Sequence, residues 1–309
     1  MHRSTWNQSV FRRSFSAFVC MVGLLLFTTL LVSCEPPPQV SIATDAPRIV
    51  SLSPAISRTL IDLGMEPYIV GRTPFCDSLD PSIPIVGDLL DLNVEQLIRV
   101  NPTHVYVQPP ASGMDSRLGR LAEERLWTLG AWHLNDVVDI AHLIGDLPPR
   151  TFEEGTPELD ASLARAQAIL KRIEDVIVAP RDGVFDGRTM LIVGLDPVTV
   201  FGSGTYLGEI LGSVGGVNAV DMDGYPQLTL EDVTRLNPEA IILVRPGAVE
   251  GTLAMDAAGP LARLDVAALR DGRVALLTHK DAFLPSSALP EVAEALRAIL
   301  RRFGEGGGT

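Results

Sequence analysis

Cysteine and positive charge are both scarce in this chain of 309 residues, and each shortage excludes a class of protein. Three cysteines cannot form the disulfide framework of a small secreted scaffold, and the length suits one two-lobed protein or two ordinary domains. Lys and Arg number 25 against 38 Asp and Glu, and the net charge of −13 excludes nucleic-acid binding through a general basic surface. A hydrophobic content of 46% argues against both wholesale disorder and a multi-span membrane protein.

Acidic residues are also absent from the first 33 positions, where arginines precede an apolar run over residues 15–32. A charged region, an apolar region and a small residue, in this order, predict a secretory signal over residues 1–33. The junction Leu31-Val32-Ser33-Cys34 resembles the bacterial lipobox, in which the cysteine becomes the first mature residue and carries lipid. An uncleaved anchor helix is the alternative. Two adjacent arginines at 12–13 are compatible with the general or the twin-arginine export route.

The rest of the chain alternates short β-rich runs with helical stretches after a Pro-rich tether over residues 34–47. This alternation predicts an α/β protein with mainly parallel, doubly wound sheets. One helix candidate over 157–178 has a capping Thr156 and a continuous apolar stripe, and spans about 33 Å. We therefore predict two Rossmann-like lobes, over 48–152 and 183–303, joined by a bridging-helix segment over 153–182, with a flexible tail over 304–309. Other expected elements include strands over 131–134 and 219–220 and a helix over 136–146.

One segment occurs twice in the body of the chain, at an offset of 136 residues. Residues 93–107 and 229–243 share a glutamate (Glu95 and Glu231), an arginine (Arg99 and Arg235) and an Asn-Pro pair. Each copy predicts a capped short helix, an Asn-Pro turn and a buried strand. Two lobes with the same internal plan create a cleft between them, which is where ligands tend to bind.

These features together resemble the solute-binding proteins of ABC importers, in the subgroup for cobalamin, haem and ferric siderophores. The resemblance rests on the lipobox, the paired repeat, the bridging helix and the segments 48–54, 215–218 and 269–274. It implies two α/β lobes joined by one rigid helix, with a cleft that opens only slightly on ligand release. It also implies that a glutamate on each lobe, here Glu95 and Glu231, docks onto arginines of the membrane permease. Alternatively, each acid only stabilises the start of its helix, by about 0.3–1 kcal/mol.

The resemblance further implies that ligand contacts come from loops at the strand ends that face the partner lobe. The expected contact residues are Ser53, Pro54, Phe75, Asp77, Leu89 and Gln108 on the first lobe, and Tyr225, Arg245 and Phe283 on the second. The stretches 75–77 and 225–227 are similar to those of cobalamin binders, whose aromatic side chains press against the corrin face. Leu89 departs from that pattern, because cobalamin binders often have an aromatic residue there. Cobalamin is favoured, with a ferric siderophore or haem as alternatives whose carboxylates would meet Arg72 and Arg245.

Signatures of catalysis and metal binding are incomplete in the sequence. Residues 202–205 lack the next glycine of a dinucleotide loop, no G-x-S-x-G elbow occurs, and the histidines have no ligand spacing. We therefore expect no enzyme, no cofactor and no metal site. We expect a monomer on the extracytoplasmic side of a bacterial membrane that contacts a metal chelate, the permease and, through Cys34, the membrane, but no nucleic acid. An enzyme on this scaffold and a solute sensor coupled to a signalling partner are the other hypotheses.

Overall fold

The computed structural model of the chain describes residues 46–110, 113–114, 116–249 and 253–306. Residues from Pro47 onward form one compact unit. The predicted signal, Cys34 and nearly all of the predicted tether lie outside the described residues.

The first lobe is built on a four-stranded, fully parallel sheet in the order β2-β1-β3-β4. Its elements are β1 (Ile49–Ser51), α1 (Pro54–Asp62), β2 (Ile69–Arg72), α2 (Val94–Arg99), β3 (His104–Val107), α3 (Ser116–Arg125), β4 (Thr128–Ala131) and α4 (Val137–Thr151). The central strands β1 and β3 are buried along almost their whole length, as expected for parallel strands covered on both faces. Their carboxyl ends all lie at one edge of the sheet, and that edge has the loops predicted to contact ligand.

The second lobe contains a six-stranded mixed sheet in the order β10-β9-β5-β6-β8, with β7 paired to β5. Its elements are β5 (Arg188–Leu195), β6 (Val198–Val200), α6 (Tyr206–Ser213), β7 (Val217–Asn218), β8 (Gln227–Leu228), α7 (Leu230–Leu236), β9 (Ala240–Val244), α8 (Ala254–Ala257), α9 (Ala267–Arg270), β10 (Val274–Leu277) and α10 (Leu289–Gly304). The bridging helix α5 (Pro157–Val178) precedes them. Strands β6 and β8 are antiparallel and were not predicted.

Three predicted elements differ from the structure at their ends. The strand expected over 131–134 corresponds to β4, which ends at Ala131. Trp132 and Leu134 are loop residues, and they are apolar because they are buried and not because they belong to a strand. The strand expected over 219–220 corresponds to β7, which ends at Asn218. It does not extend to Val220 because the Val220 amide donates to the Asn218 side chain (3.0 Å) and not to a strand. Helix α4 continues past 146 because the Thr151 hydroxyl donates to the Leu147 carbonyl (2.7 Å) and holds the last turn.

The two copies of the repeat adopt the same local structure. Helix α2 is capped by Asn93, whose side chain accepts from the Gln96 amide at 2.9 Å, and α7 is capped by Thr229 in a reciprocal capping box. Asn101 and Asn237 follow these helices with the same left-handed φ of 44°, which asparagine tolerates better than most residues. The identical Asn-Pro pairs therefore end two equivalent helices and direct the chain into β3 and β9.

One hydrophobic core runs through both lobes and the bridging helix. It includes Leu60 of α1, Ile140 of α4, Ile169 of α5, Leu207 of α6 and Leu296 of α10. Helix α5 contacts α4, α6 and α10. The lobes therefore share buried apolar surface, which favours a rigid connection.

We expect the unit from Pro47 onward to unfold in a single transition, because its core is continuous. Ile169→Ala should lower the free energy of unfolding by about 2–5 kcal/mol, since it leaves a cavity at the centre of that core. Tryptophan fluorescence reports on the first lobe through Trp127 and Trp132, whereas circular dichroism reports on all helices. Transitions at different temperatures for the two probes would contradict a shared core. Val178→Ala, at an exposed position of the same helix, is the control.

Candidate functional site

A hydrogen bond joins the loops that follow β1 and β3 at the carboxyl edge of the first sheet. The Ser53 hydroxyl donates to the Gln108 side-chain oxygen at 2.8 Å. Ser53 is buried and also caps α1, accepting from the Ile56 amide at 3.4 Å, while Pro54 occupies the first turn of that helix. The structure thus brings two of the predicted ligand residues together and fixes the start of α1 beside them.

The loop after β2 is anchored through Cys76 and presents its neighbours to solvent. The buried Cys76 sulfur lies 3.0 Å from the Ser57 hydroxyl of α1 and 3.2 Å from the Thr73 hydroxyl. Phe75 and Asp77, on either side of it, are both exposed. Cys76 therefore acts as a packed anchor for two side chains that point away from the core.

Tyr225 lies on a loop that is tied to the segment following β6. The Gly202 amide donates to the Gly224 carbonyl at 2.8 Å, and the Gly224 amide donates to the Ser203 carbonyl at 2.9 Å. The Tyr225 ring packs edge-on against the buried Phe201 ring, with centroids 5.2 Å apart. This partial burial raises the pKa of the Tyr225 hydroxyl above its ordinary value, so the ring is neutral at physiological pH.

Gly202 is the residue that allows this loop to close. A β-carbon at this position would lie 1.9 Å from the Met222 carbonyl oxygen, so the two segments would have to separate. We expect Gly202→Ala to lower the free energy of unfolding by about 1–3 kcal/mol and to displace Tyr225. Gly212→Ala, in α6 with no atom within 4 Å of the added carbon, should instead stabilise by about 0.5–1 kcal/mol. Chemical denaturation of both variants measures this difference, and equal effects would refute the packing argument.

The segment that contains Phe283 packs directly on the first lobe. The Ser287 amide donates to the Thr59 hydroxyl of α1 at 3.2 Å, and the Ser287 hydroxyl donates to the Asp62 carboxylate at 2.6 Å. The buried Asp281 carboxylate lies 3.6 Å from the Arg58 guanidinium of the same helix. Helix α1 is therefore contacted by both the Cys76 loop and the Phe283 segment, which come from opposite lobes.

Three aromatic side chains are exposed among the residues that the structure describes. They are Phe75, Tyr225 and Phe283, at 63%, 52% and 41% exposure. Phe75 and Phe283 follow the parallel strands β2 and β10, whereas Tyr225 directly precedes the edge strand β8 and packs beside the end of β6. Phe75 and Phe283 therefore lie on loops at the carboxyl edge of their sheets, where ligands of open α/β folds bind.

The two arginines considered for ligand carboxylates differ in their surroundings. Arg72 is buried, and its guanidinium donates to the main-chain carbonyls of Ile83 (3.1 Å), Thr73 (3.2 Å) and Pro81 (3.3 Å). It therefore holds the 73–85 loop, and the expectation that it meets ligand is corrected. Arg245 is half-buried at the end of β9 and uses one nitrogen, Nη1, to bind two main-chain carbonyls. Burial lowers the pKa of Arg245, and no carboxylate among the described residues pairs with it.

The repeat acids are both exposed but have different partners. Glu95 forms an ion pair with Arg99, one helical turn along α2, at 2.6 Å. In α7 the equivalent Arg235 pairs with Asp232 instead, which leaves the Glu231 carboxylate without an ion pair among the described residues. This difference follows from one substitution, because the position of Asp232 is occupied by Gln96 in the first copy.

Leu89 lies apart from the aromatic positions, in the wall of a groove on the first lobe. Its side chain is half-buried and packs against the apolar cluster on the face of the first sheet that is covered by α2 and α3. The groove has a volume of about 390 Å³.

Comparisons with known proteins agree with this architecture. Cobalamin-binding proteins of two Halobacterium salinarum strains are 23% identical over 217 residues, which cover 66% of this chain. The chain spans about half the length of these curated relatives, of which the match covers 55%. The periplasmic vitamin B12-binding protein BtuF of Vibrio cholerae superposes with a TM-score of 0.65 at 18% identity, covering 84% of this chain and 98% of that one. The periplasmic heme-binding protein RhuT from Roseiflexus sp. RS-1 superposes equally well, with a TM-score of 0.65 at 19% identity, over 84% and 99% of the two chains.

The chain has the fold of these periplasmic binding proteins. No protein-family model matches it. The predicted fold class is confirmed, with two α/β lobes joined by the long helix α5. The resemblance to solute-binding proteins that was stated from the sequence is confirmed for the fold.

The described residues contain neither a cluster of metal ligands nor a helix suited to cross a membrane. No group of three or more His, Cys, Asp or Glu side chains within them is arranged to hold a metal ion. In the same part of the chain, no helix has both the length and the apolar character required to cross a bilayer.

The sequence did not reveal the residues that support the aromatic positions. Phe201 and Tyr206 form the base of Tyr225, and their rings are 5.8 Å apart. The Tyr206 hydroxyl donates to the Ala282 carbonyl, which links this base to the Phe283 segment. A buried tyrosine needs a hydrogen-bond partner, but that partner lies 76 residues away in sequence and leaves no local signal.

Proposed function

We propose that the chain is an extracytoplasmic solute-binding protein that delivers a metal chelate, with cobalamin favoured, to an ABC importer permease. The observation that carries the proposal is the set of exposed aromatic side chains, Phe75, Tyr225 and Phe283, on loops of the two lobes. Exposure of an aromatic ring to water is unfavourable, and contact of the ring with a flat apolar ligand is favourable. A corrin or porphyrin ring has that shape.

The names of similar proteins support the same class of cargo. The Halobacterium relatives are cobalamin-binding proteins, the Vibrio protein binds vitamin B12 and the Roseiflexus protein binds heme. Haem and ferric siderophores are therefore the alternative cargoes. Arg245 supports them, because a half-buried guanidinium without a carboxylate partner among the described residues suits an acidic ligand.

The chemistry of the cleft supports binding without turnover. The buried hydroxyl and thiol groups nearest to Phe75 are those of Ser51, Ser57, Thr73 and Cys76, and they hydrogen-bond to one another or to the main chain. A nucleophile needs an adjacent base, and no His, Lys or carboxylate among the described residues hydrogen-bonds to this group. Ser53 and Gln108, with the exposed Asp77, supply the polar contacts that we propose for the ligand.

Delivery requires a second surface, and we propose that Glu95 and Glu231 provide it. Both side chains are exposed at equivalent positions of the repeat, and paired charges on two lobes orient a complex and accelerate encounter. Lipid on Cys34 would keep the monomeric chain near the permease. The proposed organisation has lobes over 48–152 and 183–303 around the segment 153–182.

Uptake in cells tests delivery directly. A strain that lacks this chain should lose high-affinity uptake of labelled cobalamin, haem or a ferric siderophore, and re-expression of the chain should restore it. Saturable binding of one of these compounds without any effect on its uptake would favour a solute sensor over a transport component.

A further inference from the structure

A groove on the first lobe lies beside the proposed docking acid Glu95. Its apolar walls are formed by Leu89, Leu90, Leu92, Val94, Leu118 and Leu121. These residues come from the loop before α2, from the first position of α2 and from α3. Val94 lines the groove and directly precedes Glu95, and both side chains are exposed at the start of α2.

The rim of the groove exposes apolar side chains. Leu90 is 91% exposed at the tip of its loop, where the Asp88 side chain accepts from the Leu90 amide at 2.7 Å. Val94 is also exposed, whereas Leu118 at the base is buried. A contiguous apolar patch with a polar border is typical of a surface that binds another protein.

The second lobe has the same pairing of an apolar residue with an acid. Leu230 precedes Glu231 as Val94 precedes Glu95, and both apolar side chains are exposed. Stable interfaces combine a desolvated apolar centre with a polar rim. Both lobes place an exposed apolar residue next to an exposed glutamate, as that plan requires. Stabilisation of the helix start would explain the glutamates but not the apolar residues beside them.

The charges favour the permease as the occupant. A second copy of this chain has the same net charge of −13 and is repelled, whereas a basic surface is attracted. The rim has acids, Asp91 and Glu124, as well as arginines, Arg117 and Arg120, so it suits a loop with a mixed charge. The ion pair between Glu95 and Arg99 is exposed, and exchanging Arg99 for a partner's cation therefore costs little.

We infer that this groove receives an apolar side chain from an extracytoplasmic loop of the permease, next to the basic residue that meets Glu95. The inference rests on the proposed function, since it presumes delivery to a permease. It adds an apolar contact to a docking surface that the repeat acids alone would leave entirely charged.

Leu90→Asp in the full-length chain, expressed in the deletion strain, tests the inference. We expect uptake of labelled cobalamin, haem or ferrichrome, whichever the wild-type chain restores, to fall by about tenfold or more. Affinity for the same compound, measured on the purified full-length chain in detergent, should be unchanged. Leu126→Asp is the matched control, because Leu126 is 92% exposed directly after α3 and is not among the residues that line the groove.

Each other outcome overturns the inference in a recognisable way. Normal uptake with Leu90→Asp overturns the inference, but the proposed function still holds if the wild-type chain restores uptake. Weaker ligand binding by Leu90→Asp would assign the groove to the ligand cleft. An equal loss of uptake with Leu126→Asp would indicate a general surface effect. If the wild-type chain restores uptake of none of the three compounds, the proposed function fails and the inference fails with it.

Discussion

Replacing Phe75 and Tyr225 together by alanine should weaken binding of cobalamin by about 100-fold. Each ring contributes about 0.5–1.5 kcal/mol beyond its area burial when it stacks on a flat partner, and burial of its apolar surface adds about 25 cal/mol per Å². A loss near 1.4 kcal/mol for each side chain is about a tenfold change in affinity. The two rings lie on different lobes, so their effects should add.

The unfolding free energy separates this effect from a loss of structure. Phe75 is 63% exposed, and exposed substitutions usually change stability by less than about 0.5 kcal/mol, whereas truncation of Tyr225 also removes its packing on Phe201. Tyr225→Phe keeps the ring and its packing on Phe201, so it should retain most of the affinity. Unchanged cobalamin affinity in the double alanine variant, measured by calorimetry, would show that these rings do not form the ligand surface.

Replacing Glu95 and Glu231 together by alanine should reduce uptake by about 100-fold without any change in ligand affinity. Truncating one partner of a desolvated charge pair typically costs about 2–5 kcal/mol, because the arginine opposite is left unpaired. Neither acid contacts the aromatic positions, so binding by the purified chain should match the wild type. Glu231 has no ion pair among the described residues and Glu95 has only its exposed pair with Arg99, so both carboxylates are available to a partner's cation.

A charge-matched control distinguishes docking from a change in net charge. Glu154→Ala with Glu305→Ala removes the same charge from exposed positions outside α2 and α7, and it should leave uptake unchanged. Equal losses in both double variants would point to long-range electrostatics. Normal uptake in the Glu95 and Glu231 variant would contradict the docking assignment.

Elements with signals at both the start and the interior could be predicted from the sequence. The bridging helix was predicted with its observed bounds because Thr156 caps it, Pro157 begins it and an apolar stripe continues to Val178. Strands β9 and β10 were also predicted with their observed bounds, since each is a continuous apolar run with a turn before it. Short strands that exist only through tertiary pairing, such as β6 and β8, have no comparable pattern.

Within the candidate site, the sequence predicted which loops have exposed aromatic residues better than it predicted the contacts between side chains and distant segments. Phe75, Tyr225 and Phe283 were selected from their place after strands and from the resemblance, and the structure leaves all three exposed. Arg72 was misjudged because the carbonyl groups of Thr73, Pro81 and Ile83 satisfy it, and the path of a loop sets the positions of the last two. Phe201 was missed for the same reason, since its contact with Tyr225 depends on the closure of two segments around Gly202.

The most direct test of the account is a calorimetric titration of residues 35–309 with cobalamin, followed by haem and ferric siderophores under the same conditions. The proposed cleft predicts saturable one-to-one binding of a metal chelate, with cobalamin at micromolar affinity or tighter and a change in its visible spectrum. Binding of haem or a siderophore instead of cobalamin would keep the transport role and change the cargo. An absence of binding by all of these compounds would contradict the assignment of the exposed aromatic residues to a chelate site.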